Sequence, residues 1–137
     1  MTMDWKLEVI VLPVSDVDKA KAFYVDQLGF VLDVDHDAGN GTRVVQLTPP
    51  GSACSVTIGS GLIDSAPGSV KGLQLVVADV DAAREQLIAR GVDASPVRHV
   101  GPDGWTDGRG GRWNSFLFFS DPDGNAWTVQ EKPADLS

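Results

Sequence analysis

The chain is 137 residues long, enough for one domain built from two small modules and too short for a catalytic domain plus a separate cofactor domain. Hydrophobic residues make up 42% and charged residues 22%, a balance that excludes wholesale disorder and collagen-like or coiled-coil architectures. Nineteen acidic against eleven basic residues leave a net charge of −8, which repels phosphate backbones and anionic headgroups, so neither nucleic acid nor a membrane is expected as a partner.

The amino-terminal MTMDWKLEV lacks the basic start and apolar core of a secretory signal, and no apolar run approaches the roughly 20 residues that span a bilayer. Cys54 is the lone cysteine and has no partner for an intramolecular disulfide, so a cytoplasmic location is the expectation. Glu8 to Val14 is β-rich. Asp16 then caps a helix whose apolar positions Val17, Ala20, Tyr24 and Leu28 recur at three- and four-residue steps, and Gly29 ends it. Strand candidates follow at roughly 30–35, 43–48 and 54–58, with Asp35-His36-Asp37 as a solvated turn. After a second β-rich run, Asp79 caps a helix with the stripe Val80, Ala83 and Leu87, stopped at Gly91. Strand candidates at roughly 94–99, 115–120 and 126–131 complete the chain, the last two joined by the turn Pro122-Asp123-Gly124-Asn125.

The two halves echo each other. Val14-Ser15-Asp16-Val17-Asp18-Lys19-Ala20 recurs as Val77-Ala78-Asp79-Val80-Asp81-Ala82-Ala83, an offset of 63. Pro49-Pro50-Gly51 through Thr57 lines up with Pro122-Asp123-Gly124 through Gln130, an offset of 73, so ten extra residues belong between the matches, in the glycine-rich stretch from Gly101 to Gly111. The element order is βαβββ twice, with modules at about 7–60 and 70–132 of a single domain over residues 1–137.

Val-x-Asp-Val-Asp-x-Ala, Phe23-Tyr24, Leu28-Gly29-Phe30 and Ser120-Asp121-Pro122-Asp123-Gly124-Asn125 together resemble the vicinal oxygen chelate superfamily of glyoxalase I, extradiol dioxygenases, fosfomycin-inactivating enzymes and bleomycin resistance proteins. The resemblance implies an α+β fold in which two βαβββ modules form a curled mixed sheet, helices outside and a concave face for substrate or metal. It also implies a homodimer. The scaffold hosts unrelated chemistries, so fold alone does not name the function. Enzymes of the family hold a divalent metal at positions that the resemblance maps onto Val9, Ser55, Gly72 and Thr128. None of these carries an imidazole or a carboxylate, and a shift by two residues, to Val11, Thr57, Gln74 and Gln130, supplies neither. A shift by one would recruit Glu8 and Glu131 but turns every side chain to the opposite face, and Glu8 and Lys71, which occupy equivalent places in the repeat, are expected as solvated or paired rim charges. No metal and no cofactor are therefore expected.

Strand alternation places Val11, Ser55, Thr57, Gln74, Thr128 and Gln130 in the cleft. Two glutamines there could each donate to and accept from a carbonyl, amide or hydroxyl without the cost of a buried charge, or could simply satisfy each other. The segment from His99 to Asn114 adds Trp105 and Trp113 among glycines, as a lid over the cleft or as an ordinary exposed insertion. Arg43 and Trp5 are placed at the cleft mouth or a dimer contact, and Cys54 as core filler. The expected function is metal-independent binding of a small-molecule ligand, as in bleomycin resistance proteins. The alternatives are a glyoxalase- or dioxygenase-like enzyme using displaced ligands such as Gln74 and Glu131, and metal-free catalysis by His99 or Asp107.

Overall fold

The computed structural model describes residues 2–135, so the first and the last two residues of the expected domain lie outside the described residues. The chain divides into two compact units, with the boundary between Ser69 and Val70.

The first unit contains β1 (Val9–Val11), α1 (Val17–Ala22), a π-helical turn (Phe23–Gln27), β2 (Val31–Gly39), β3 (Thr42–Thr48) and β4 (Ser55–Ser60). Asp16 has extended backbone and its carboxylate accepts the Lys19 N–H at 3.1 Å, which satisfies one of the free amides of the first helical turn. Gly29 ends the helical segment at φ +76°, where a Cβ would be resisted. The strands order as β1-β4-β3-β2, with β1 parallel to β4 and the other pairs antiparallel. Leu12, Tyr24, Val45, Leu47 and Ile58 are buried to 1% exposure or less and form the centre of the core, and Tyr24 packs edge-on against Phe23. Asn40 and Gly41, both at positive φ, close a two-residue hairpin turn whose twist suits the flanking strands. That turn corrects one expectation: Asp35, His36 and Asp37 are not a turn but lie inside β2, with His36 opposite Val44.

The second unit contains β5 (Leu73–Val77), α2 (Val80–Ala89), β6 (Arg98–Gly101), β7 (Gly104–Asp107), β8 (Phe116–Ser120) and β9 (Ala126–Glu131). Asp79 caps α2 by accepting the Ala82 N–H at 3.0 Å, and Gly91 follows at φ +83°. The sheet order is β5-β9-β8-β6-β7, with β5 parallel to β9. The glycine-rich stretch is therefore an ordered β6–β7 hairpin at the sheet edge, which adds a strand to the βαβββ pattern. Leu117, Phe119, Trp127 and Val129 are buried on one face, with the Phe119 and Trp127 rings stacked at 6.2 Å. The Asp121–Asn125 turn is fastened from within. Asp121 accepts the backbone N–H groups of Asp123 and Asn125 and the Asn125 side-chain amide, and the buried Asn125 accepts the Val70 N–H at 3.1 Å.

Each unit thus supplies one open mixed sheet with few helices, the α+β architecture expected. No described helix is long and apolar enough to cross a membrane.

Candidate functional site

Directly opposed residues of a ladder share a face, so register identifies which side chains meet. In the first unit Val9 pairs with Ser55, Val11 with Thr57, and Gln46 with Thr57, which brings the expected Val11, Ser55 and Thr57 onto one face. Ser55 and Thr57 are each 7% exposed, so their hydroxyls sit low between longer neighbours. Thr48 Oγ1 lies 2.7 Å from Ser55 Oγ and donates in turn to the Asp33 carboxylate. Asp33, Gln46 and Thr48 were not among the residues expected from the sequence. Asp33 shares the parity of Val31, which opposes Thr48, so alternation along β2 carries it to this face once that pairing is known, and the register of β2 against β3 shifts between Leu32 and Val34.

In the second unit Gln74 pairs with Thr128 and Val76 with Gln130, while across the antiparallel neighbour Phe118 pairs with Thr128 and Phe116 with Gln130. Trp105 completes this face. Its ring stands perpendicular to both Phe116 and Phe118, at centroid distances of 5.3 and 5.1 Å, the edge-to-face contact that aromatic quadrupoles favour. Gln74 Nε2 donates to Gln130 Oε1 at 2.7 Å, and Gln130 Nε2 donates to the Trp113 carbonyl at 2.8 Å. The structure thus brings Gln74, Thr128, Gln130 and Trp105 together. Trp113 joins them through its backbone, with φ at +60° and its indole partly exposed. Phe116 and Phe118 were missed as site residues, although counting back through the turn from Gln130 puts them on its face. Beside them a cleft of about 580 Å³ is lined by Arg98, Phe118 and Thr128 with Asp93, Ser95 and Ser120.

Arg109, Glu131, His99, Asp107 and Arg43 are each occupied by partners within their own unit. Arg109 pairs with Glu131 and, at 2.7 Å, with Asp81, and Glu131 also accepts the Val80 N–H at 3.0 Å. The Arg109 guanidinium holds the Glu131 carboxyl below its ordinary range, against partial burial and with help from the Val80 amide, while Arg109 itself is raised chiefly by Glu131. Glu131 is a paired charge. His99 Nδ1 meets the Gly108 carbonyl at 3.0 Å and Asp107 pairs with Arg98 at 3.0 Å, so both fasten the hairpin. Arg43 pairs with Asp35 and Asp18, and with Lys21 it holds Asp35 far below the usual carboxylate range. Trp5 is 87% exposed. Cys54 is half-buried just ahead of β4.

The positions onto which the resemblance maps the family's metal site carry Val9, Ser55, Gly72 and Thr128, a donor set of two hydroxyls without carboxylate or imidazole, which does not fit a divalent ion. Among the described residues no three His, Cys, Asp or Glu side chains cluster in a way that could hold a metal.

The fold, the paired helix caps and the fastened turn place the chain in a family. It belongs to the Glyoxalase/Bleomycin resistance protein/Dioxygenase superfamily, whose profile matches residues 6–129. Among solved structures it is similar to TnmS3, an antibiotic binding protein from Streptomyces sp. CB03234, with 33% identity and a TM-score of 0.78 over 97% of this chain and 100% of that one. A glyoxalase/bleomycin resistance protein from the same Streptomyces strain is 35% identical with a TM-score of 0.73, covering 91% and 99% of the two chains. A superfamily member from Sphaerobacter thermophilus DSM 20745 is 30% identical with a TM-score of 0.76, covering 96% and 100%. The search of curated proteins gives no match.

Proposed function

We propose that the protein binds an organic small molecule, in the manner of an antibiotic-sequestering protein, and does so without the metal that the family's enzymes use. The observation that carries this reading is the face of the second unit, where the Trp105, Phe116 and Phe118 rings flank the Gln74–Gln130 amide pair. Rings supply a flat apolar contact at low entropic cost, and the amides orient a ligand by hydrogen bonds without a charge to desolvate. Gln74 is exposed and presents its amide to an incoming group. Thr128 extends the same face, Trp113 borders it, and on the first unit's face Val11 and Thr57 are proposed as ligand contacts, with Ser55 contributing through the hydroxyl it meets. The likeness to an antibiotic binding protein supports the reading, and the donor set at the family's metal positions supports its metal-free form.

The test is a thermal-shift and tryptophan-fluorescence screen against natural-product antibiotics, with and without a chelator. A ligand that stabilises the protein equally in both conditions is the expected outcome. Gln74→Ala and Gln130→Ala should each weaken it by about 1–3 kcal/mol through the lost hydrogen bonds, and Trp105→Ala should abolish the fluorescence response. Stoichiometric metal in the purified protein, or binding that the chelator removes, overturns the metal-free form.

A further inference from the structure

On the face of the first unit, three side chains form a hydrogen-bonded chain that ends in a carboxylate. Asp33 accepts from Thr48, and Thr48 Oγ1 lies 2.7 Å from Ser55 Oγ. A carboxylate only accepts, so Thr48 gives its single hydroxyl proton to Asp33, and Ser55 must then give its own to Thr48. Every proton of the chain runs toward Asp33. What the cluster offers outward is therefore lone pairs: the second carboxylate oxygen and the free acceptor sites of the hydroxyls.

The carboxylate also lacks a counter-charge. Among the described residues no Lys or Arg pairs with Asp33, whereas Asp35, two residues along the same strand, is held by Lys21 at 2.7 Å and by Arg43 at 2.9 Å. Asp33 is exposed and Thr48 half-buried, so both can be reached from solvent, while Ser55 sits beneath them. The valines opposite Ser55 and Thr48, Val9 and Val31, add apolar surface beside the charge and no competing donor side chain.

We infer that this cluster is a subsite for a cationic hydrogen-bond donor: a protonated amine, amidine or guanidine group. Asp33 is the contacting counter-charge, Thr48 lies beside it, and Ser55 is a positioning residue that directs the Thr48 proton. The inference rests on the reading of this face as ligand-binding and adds the chemical class of the ligand. A negatively charged cluster with only acceptors repels carboxylates and phosphates and has no proton to offer a neutral carbonyl. A cation with several N–H groups satisfies the carboxylate and hydroxyl lone pairs together, in charge-assisted bonds stronger than neutral ones. The net charge of −8 draws such a cation toward the protein.

Benzamidine and its neutral near-isostere benzamide test this when titrated into the isotope-labelled full chain and followed through its backbone amide resonances. Benzamidine should shift the Asp33, Thr48 and Ser55 amides saturably, with benzamide at least about tenfold weaker, and Asp33→Asn should erase the difference. Ser55→Ala should weaken benzamidine a few-fold while leaving benzamide unchanged, and Ser55→Thr should restore it. An unchanged melting transition shows that Asp33→Asn is folded; if it is not, Thr48→Val, which removes the hydroxyl between Asp33 and Ser55, takes its place with a several-fold loss expected. No saturable shift at these amides, equal shifts by the two probes, or a preference that survives both substitutions overturns the cation subsite. Should benzamidine fail here while the antibiotic screen still yields a metal-independent ligand whose affinity depends on Trp105 and Gln74, the subsite alone falls and the binding reading stands.

Discussion

Gly59 shows how one missing side chain shapes the first unit. A Cβ built there would stand 1.9 Å from the Arg43 carbonyl and 2.8 Å from Leu62, and the nearer atom belongs to the backbone of the neighbouring strand. The strands would have to part, so Gly59→Ala should destabilise the protein by about 1–3 kcal/mol, measured by urea denaturation. No local pattern announces this, because the obstacle comes from a residue 16 positions away in the chain, Arg43 against Gly59. The glutamines are the opposite case. Alternation put Gln74 and Gln130 on one side of their strands with Thr128, and the structure keeps them there. Their mutual hydrogen bond was one of two open readings, and it depends on the parallel register of β5 with β9, which no pattern within either strand specifies.

At the scale of elements, the two helix starts were legible because a cap is local: an aspartate accepts an amide three residues on in both helices. The β6–β7 hairpin was not, since its sequence is rich in glycine and its order comes from partners elsewhere in the unit. Arg109 is one of those ties, joining the segment after β7 to Glu131 at the end of β9 and to Asp81 in α2. The folded pKa of Glu131 is lowered, so the pair's contribution is full above the ordinary carboxylate value of 4.5 and is lost as pH falls through the lowered value. Arg109→Ala should therefore lower Tm at neutral pH, and the gap from the native chain should close on acidification below that value. About half of the guanidinium is solvent-exposed, which limits the effect to about 1 kcal/mol or less. A Tm difference that is flat from neutral pH to well below 4 would show that the pair is not what stabilises the hairpin.

For the whole molecule, the proposal that follows from the family is a homodimer, and β2 is where the first unit invites one. It is an edge strand exposed along all nine residues, with Val31, Leu32 and Val34 open to solvent. Light scattering should give twice the chain mass, and Val34→Lys should shift the protein toward monomer; a monomer at micromolar concentration would remove the proposal. The sequence by itself determined the family, the α+β class, the order of elements apart from the added strand β7, and the side of each strand on which the expected polar residues lie. These follow from short-range rules, namely caps, turns and two-residue alternation, together with an internal echo that needs no partner to be seen. Tertiary structure alone decided that Trp105 lies against Phe116 and Phe118, that Arg109 neutralises Glu131, and that Asp33 joins Thr48 and Ser55. Each of those contacts joins residues from different elements of one unit, and such meetings are set by the packing of that unit and not by the residues beside them in the chain.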